Sequence, residues 1–363
     1  MKIITIIGAR PQFIKASAIS REILKNYKGK IEEILVHTGQ HFDENMSEIF
    51  FNELGIPKPK YNLKISGGKH GEMTGRMMAS IEVVLESEKP DFVLVYGDTN
   101  STLAASLAAV KMRIPIAHVE AGLRSFNMNM PEEVNRIVTD RVSSLLFCPT
   151  ELSFKNLLQE GIRSGVHQVG DVMFDIALSH IDKKTTTEIL LDQLKLKKKE
   201  YILATCHRAE NTDHKHRLNE ILLGLNQLAK NYKVVLPLHP RTKKLINHFN
   251  LSDMLEELKI VEPLSYFEMM ELEQHARVII TDSGGIQKEA YFFGVPCITM
   301  RDETEWVETI EVGANVLAGA NSKTIIDWII KYEAGDWQPS YSAMLYGNGF
   351  AATKIIDILN SRS

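Results

Sequence analysis

A rhythm runs through this chain that few folds can satisfy. Short apolar runs rich in β-branched residues (IITIIG, EEILVH, FVLVYGD, IPIAHVE and LLFCP) alternate with longer stretches of helical spacing. The alternation resumes with YILATCH, KVVLPLH, LKIVEP, RVIITDS and PCITM. An apolar run of this length reads as a buried strand, and strands separated by such helices form βαβ units with parallel sheets. Two series within 363 residues leave room for two domains, each with its own core. Between them lies IDKKTTTEILLDQLKLKKKE, charged and low in aromatics, in which KLKKKE reads as a solvated helix end. That break in composition puts a boundary around residues 171 to 200. The expected fold is α/β, with two facing, doubly wound Rossmann-like domains. Ligands would then bind in the cleft, at the carboxyl ends of the strands.

Composition removes several classes of function. Hydrophobic residues make up 44% and charged residues 24%, the balance of a globular protein. With a net charge near −4 there is no overall basic field, so neither nucleic acid nor an anionic membrane is an expected partner. The first apolar run stops at Gly8, short for a signal peptide, and no stretch approaches ~18 uninterrupted apolar residues. A cytoplasmic location is expected. Cys148, Cys206 and Cys297 are isolated in apolar surroundings without any CxxC, which argues against a zinc site or a disulfide framework.

Polar residues fall at the strand ends. The first run leads into Gly8-Ala9-Arg10-Pro11, with Lys15 one turn into the next helix. FVLVY leads into Gly97-Asp98, and IPIAHV into Glu120-Ala121-Gly122-Leu123-Arg124, followed by Glu132 and Arg136. In the second half the strands end in His207-Arg208, in His239-Pro240-Arg241, in Ser283-Gly284-Gly285 and in Arg301, with Glu305 beyond it. Two glycines between an apolar run and a helix let backbone N–H groups approach an anion at the helix's positive end. Arginines, a lysine and an SGG turn suit a diphosphate; carboxylates and a histidine suit proton transfer. The first strand–helix turn reads GARP, not the G-x-G-x-x-G that holds a nicotinamide or flavin pyrophosphate. P-loop, H-E-x-x-H and G-x-S-x-G motifs are absent as well. These residues describe an enzyme that grips a nucleotide diphosphate and does acid–base work on what it carries.

With GARPQFIK, YGDTNSTLAA, HVEAGLRS, MPEEVNR, HRAEN, LPLHPR, TDSGGIQKEA, MRDETE and YGNGF in this order, the chain resembles the non-hydrolysing UDP-N-acetylglucosamine 2-epimerases over essentially its full length. The resemblance implies a GT-B-like pair of domains: residues 1–175 joined by a returning terminal helix at about 349–363, and residues 176–348 holding UDP. It implies that Asp98, Glu120 and Glu132 are the catalytic carboxylates and that His207 helps the diphosphate leave. Ser283, Gly284 and Gly285 would cradle the diphosphate, Glu289 would meet the ribose, and Met269 would lie against uracil. Arg10, Lys15, Arg136, Arg208, His239, Arg301 and Glu305 would complete the substrate site. No metal and no cofactor is implied; a homodimer is the family's habit.

The chemistry has its own constraints. The hydrogen on sugar carbon 2 is not next to a carbonyl, so deprotonation alone is prohibitive, and the turn that would bind a nicotinamide is missing. Eliminating UDP to a glycal, then re-adding it with protonation from the opposite face, inverts that carbon. The expected reaction interconverts UDP-N-acetylglucosamine and UDP-N-acetylmannosamine. Departures from the better-known members are Trp306-Val307 in place of Arg-Pro and Ala209 in place of an arginine. Met269 stands where an aromatic is usual. Gln40 and His41 match the family's activator site, but Asp43, Lys69 and His70 do not, so activation by a second substrate molecule is not expected. GARPQFIKA with RDETEWVE is closer to the subgroup acting on UDP-2,3-diacetamido-2,3-dideoxyglucuronate for bacterial surface polysaccharides, the alternative substrate. A glycosyltransferase of the same architecture, a hydrolysing epimerase and a non-catalytic nucleotide-sugar binder are the rival classes.

Overall fold

The computed structural model describes residues 1–40, 51, 54–181, 189–342 and 344–362. The chain divides into two compact units. One comprises Met1–Leu178 with Leu345–Ser363, the other Ser179–Met344.

The first unit is built on β1 (Lys2–Ile7), β2 (Glu32–His37), β3 (Tyr61–Asn62), β4 (Phe92–Tyr96), β5 (Ile116–Val119), β6 (Leu145–Cys148) and β7 (Val166–Gln168). They form one sheet in the order β3-β2-β1-β4-β5-β6-β7, and every pairing is parallel. Parallel strands need crossovers, and these are helices such as α1 (Arg10–Asn26), α2 (Asn100–Lys111) and α3 (Pro131–Val142). Covered on both faces, the central strands are buried along their whole length, all five residues of β4 and all four of β5 and β6, and His118 in β5 is the one basic side chain in these three. The helix Ala351–Asn360 belongs to this unit and buries Ile355, Ile356 and Leu359 completely.

The second unit repeats the plan with β8 (Tyr201–Thr205), β9 (Lys233–Pro237), β10 (Lys259–Val261), β11 (Val278–Thr281), β12 (Cys297–Thr299) and β13 (Asn315–Leu317). Their order is β10-β9-β8-β11-β12-β13, again all parallel. The crossovers include α4 (Tyr266–His275) and α5 (Gly284–Phe292). Both sheets are therefore doubly wound, as the alternation of runs predicts. The runs named from the sequence correspond to ten of these strands; β3, β7 and β13 are the ones it does not show. All three are sheet edges.

In each sheet the winding reverses beside the first strand: between β1 and β4, and between β8 and β11. The loops at those strand ends diverge and leave a crevice that side chains from both can line. Residues 8–15 and 97–98 lie at the first switch point, residues 206–208 and 282–285 at the second.

Candidate active site

At the first switch point the chain is packed too closely for any side chain at Gly8. A Cβ there would overlap Thr38 Oγ1 and Ser101 Oγ. Gln12, 1% exposed, holds the turn: its Oε1 accepts from the N–H groups of Gly8 at 2.8 Å and Ala9 at 3.0 Å. Its Nε2 donates to the Tyr96 carbonyl at 2.9 Å, tying the end of β1 to the end of β4. Arg10 opens α1, half-buried, and Lys15 is buried one turn further on.

Lys15 forms an ion pair with Glu120, which follows β5. Gly97, at the end of β4, sits against both: a Cβ there would lie 3.2 Å from Glu120 Oε2 and 3.2 Å from Lys15 Nζ. Three strand ends thus converge on one spot. Asp98, next in the chain, pairs with Arg136 Nη2 at 2.6 Å, while its backbone carbonyl accepts from Asn135 Nδ2 at 2.8 Å. Arg136 also pairs with Glu133 at 2.6 Å. Glu133, 1% exposed, accepts from Ser125 N and Phe126 N at 3.0 Å each. Burial alone would raise its pKa; the backbone bond from Ser125, the Arg136 guanidinium and the bond from Phe126 bring it below the usual value. Glu132 is exposed on the first turn of α3. The structure therefore brings Lys15, Asp98, Glu120 and Arg136 into one cluster. Carboxylates that can carry a proton stand beside cations that can offset an anion.

At the second switch point Ser283 is the N-cap of α5 but its side chain makes no capping bond, so it does not occupy the first-turn N–H groups. Such donors favour an anion. A Cβ on Gly284 would overlap Glu305 Oε1, whereas one on Gly285 would meet nothing nearer than Glu289 Oε2 and Ser283 Oγ at 3.9 Å. A side chain at Gly284 would thus displace the Glu305 carboxylate, and Gly285 leaves an open face beside the buried Glu289. Arg301, fully buried, donates from Nη1 to Glu305 Oε2 at 2.8 Å and lies 3.3 Å from Glu210 through Nε. Burial works against its charge, but the Glu305 and Glu210 carboxylates outweigh it and raise its pKa. Arg208 approaches Glu305 at 4.0 Å.

Asp282 is fully buried and accepts from the backbone N–H groups of His207 and Arg208, each at 3.0 Å. Its other oxygen lies 3.4 Å from His207 Nδ1. The imidazole of His207 is 42% exposed, its centroid 6.4 Å from that of His239. His239 caps the helix Pro240–His248 by accepting from Arg241 N. Met269, half-buried on α4, packs with Ile286 against the core around Leu272, Ile279 and Ala290. Trp306 is buried beneath the ammonium of Lys288, which lies 4.2 Å from the ring centroid.

Gln12, Asp282 and the buried pair His118–Asp140, 2.7 Å apart with Asp140 accepting from Gly122 N, are not among the candidate residues read from the sequence, although each holds one of the turns of these clusters. The available signal was a polar residue inside or directly after an apolar run, such as His118 in IPIAHVE or Asp282 in VIITDS.

The family described as UDP-N-acetylglucosamine 2-epimerase matches residues 24–360. The UDP-2,3-diacetamido-2,3-dideoxy-D-glucuronate 2-epimerase of Pseudomonas aeruginosa is 53% identical over 99% of both chains. The chain belongs to the UDP-N-acetylglucosamine 2-epimerase family. As a member it is an enzyme, an isomerase. Its structure is similar to the crystal structure of Methanocaldococcus jannaschii UDP-GlcNAc 2-epimerase in complex with UDP-GlcNAc and UDP. That similarity has a TM-score of 0.89 and 45% identity, covering 99% of this chain and 100% of that one. The Neisseria meningitidis UDP-GlcNAc 2-epimerase bound to UDP-GlcNAc gives a TM-score of 0.90 at 34% identity, with 99% and 100% covered.

Of the positions matching the family's activator site, Gln40 accepts through Oε1 from Ser101 N at 3.1 Å and Ser101 Oγ at 2.8 Å. His70 Nδ1 lies 3.1 Å from Asn100 Nδ2, and Lys69 is the N-cap of the helix His70–Glu88. His41 and Asp43 lie outside the described residues. Among the described residues no helix is long and apolar enough to cross a membrane.

Proposed function

We propose that this epimerase interconverts UDP-N-acetylglucosamine and UDP-N-acetylmannosamine by reversible elimination of UDP. A carboxylate removes the proton from sugar carbon 2 as the bond from carbon 1 to the diphosphate oxygen breaks. UDP departs as an anion and a carbon 1–carbon 2 double bond remains. In the return step the diphosphate oxygen attacks carbon 1 while a carboxylic acid protonates carbon 2 from the opposite face.

The observation that carries this reading is the convergence at Gly97, where the paired Lys15 Nζ and Glu120 Oε2 each lie 3.2 Å from where a Cβ would stand, with Asp98 next in the chain. Asp98, Glu120 and Glu132 share the proton transfers. Arg10, Lys15 and Arg136 offset the charge that develops on the diphosphate, a contribution that is usually the largest in such reactions. In the second unit the first turn of α5, Ser283 to Gly285, takes the diphosphate and Glu289 the ribose hydroxyls. Arg208, Arg301, Glu305, His239 and Met269 complete that side, and His207 assists the departing phosphate. The UDP and UDP-GlcNAc bound to the Methanocaldococcus relative support the ligand class.

Incubation of the purified protein with UDP-N-acetylglucosamine in D₂O, without metal or nicotinamide, tests the reading. Deuterium should enter at carbon 2 as the manno epimer appears. Release of free sugar would point instead to hydrolysis. A second substrate is favoured by the 53% identity to the Pseudomonas enzyme: UDP-2,3-diacetamido-2,3-dideoxyglucuronate, by the same steps. Exchange on that sugar with none on UDP-N-acetylglucosamine would select it. We further propose a cytoplasmic homodimer, the form usual in the family; light scattering at the mass of one chain would count against it.

A further inference from the structure

His118 lies within β5, two residues before Glu120, and is wholly buried. Both its ring nitrogens meet acceptors. Nδ1 is 2.7 Å from Asp140 Oδ1, and Nε2 is 2.8 Å from the carbonyl oxygen of Gly97. A carbonyl only accepts, and so does an ionised carboxylate. Asp140 behaves as ionised: Oδ2 accepts from Arg124 Nη1 at 2.7 Å and from Gly122 N at 3.1 Å. Burial pushes its pKa up, but the hydrogen bond from His118, together with the charge and hydrogen bond of Arg124, brings it below the usual carboxylate value. A neutral imidazole would turn a bare nitrogen lone pair toward one of two acceptors less than 3 Å away. Only a doubly protonated ring satisfies both.

Arg124 also donates from Nε and Nη2 to Glu160, an exposed residue, at 2.6 and 2.8 Å. Counting Glu160, an imidazolium at His118 leaves the network without net charge.

What this network touches gives it a role. The Gly97 carbonyl belongs to the turn that delivers Asp98, and Gly97 N in turn donates to the Val119 carbonyl at 3.0 Å. Asp140, through Gly122 N, holds the chain just past Glu120, whose own φ of +73° is left-handed. We propose that His118, kept as an imidazolium by Asp140, is a positioning residue that locks the Gly97–Asp98 and Glu120–Gly122 turns into reactive geometry. The catalytic consequence rests on the reading of Asp98 and Glu120 given above; the protonation state does not.

Two-bond ¹H–¹⁵N correlation on the unaltered, labelled protein near neutral pH tests the state directly. One histidine should show both ring nitrogens protonated, and His118→Asn should remove that pattern. A neutral tautomer at His118 overturns the proposal, and this measurement needs no variant to stay folded beyond the one used for assignment. In kinetics, His118→Phe and Asp140→Asn should each lower kcat at least about tenfold while KM stays within about threefold, since the turns bearing Asp98 and Glu120 shift while the second unit's groups for the diphosphate and ribose stay in place. Folded variants with unchanged kcat would also overturn it. Should the parent turn over neither sugar, the assignment of function fails, while the ring-nitrogen result still decides the state of His118.

Discussion

Glu120 carries a left-handed backbone without being a glycine, which costs on the order of 1–3 kcal/mol and persists only where the surroundings over-determine it. Here they do: Glu120 N and Ala121 N both donate to the Phe147 carbonyl at 3.1 Å, and the side chain is anchored by Lys15. Asp98→Asn and Glu120→Gln keep this geometry but remove the exchangeable charge, and each should cut turnover at least about a hundredfold. Near-normal rates would take that residue out of the mechanism. Asp282 makes a different kind of contribution, since it touches only backbone and side-chain donors around the second cluster. Asp282→Ala leaves the part-buried N–H groups of His207 and Arg208 without their acceptor and should lower stability by about 1–3 kcal/mol, read from the urea midpoint. An unshifted midpoint would mean that water replaces the carboxylate. The motifs GDTNS and HVEAG named Asp98 and Glu120, because a charged residue after an apolar run stands out. His118 sits in HVEAG and Asp282 in TDSGG, but their importance lies in partners up to 75 positions away along the chain, which spacing does not encode.

At the level of elements, strands buried on both faces are predominantly apolar and could be read as runs. The edge strands β3, β7 and β13 are two or three residues long and only partly covered, so they lack that pattern. The helix Ala351–Asn360 shows how an element end is secured by residues remote in sequence. Its own preceding residue, Phe350, makes no side-chain cap; Asp175 supplies it, accepting from Ala351 N at 3.1 Å and Ala352 N at 2.8 Å. Burial raises the pKa of Asp175 to about 6, against the pull of those two bonds. A carboxyl whose folded value exceeds its unfolded value supports the fold most when protonated, and that support is lost as pH rises through the folded value. The stability of the parent relative to Asp175→Asn should therefore fall between about pH 4 and pH 7, by up to about 3 kcal/mol. A difference that grows with pH would show that the capping bonds, not burial, dominate.

For the whole molecule, the first unit is not one continuous stretch of chain, because Leu345–Ser363 returns to it. Ile355, Ile356 and Leu359 are completely buried there, and Lys354 Nζ donates to the Val169 carbonyl at 3.3 Å. Three such side chains contribute roughly 5–9 kcal/mol of apolar burial, as large as the whole stability of many domains. Truncation after Met344 should therefore strip hydrogen-exchange protection from β1–β7 while β8–β13 keep theirs; protection retained in both would show that the helix is dispensable. Periodicity and the chemistry of strand ends were enough to specify two doubly wound sheets, the βα turns that carry the charged residues of both clusters, and the kind of ligand those residues suit. These are local properties, written in runs of a few residues. The pairing of Lys15 with Glu120, of Arg136 with Asp98 and of His118 with Asp140 emerged only once the strands were laid side by side. Charge interactions fall off over a few ångströms of space, and the order of strands in a sheet, rather than distance along the chain, sets which charges come that close.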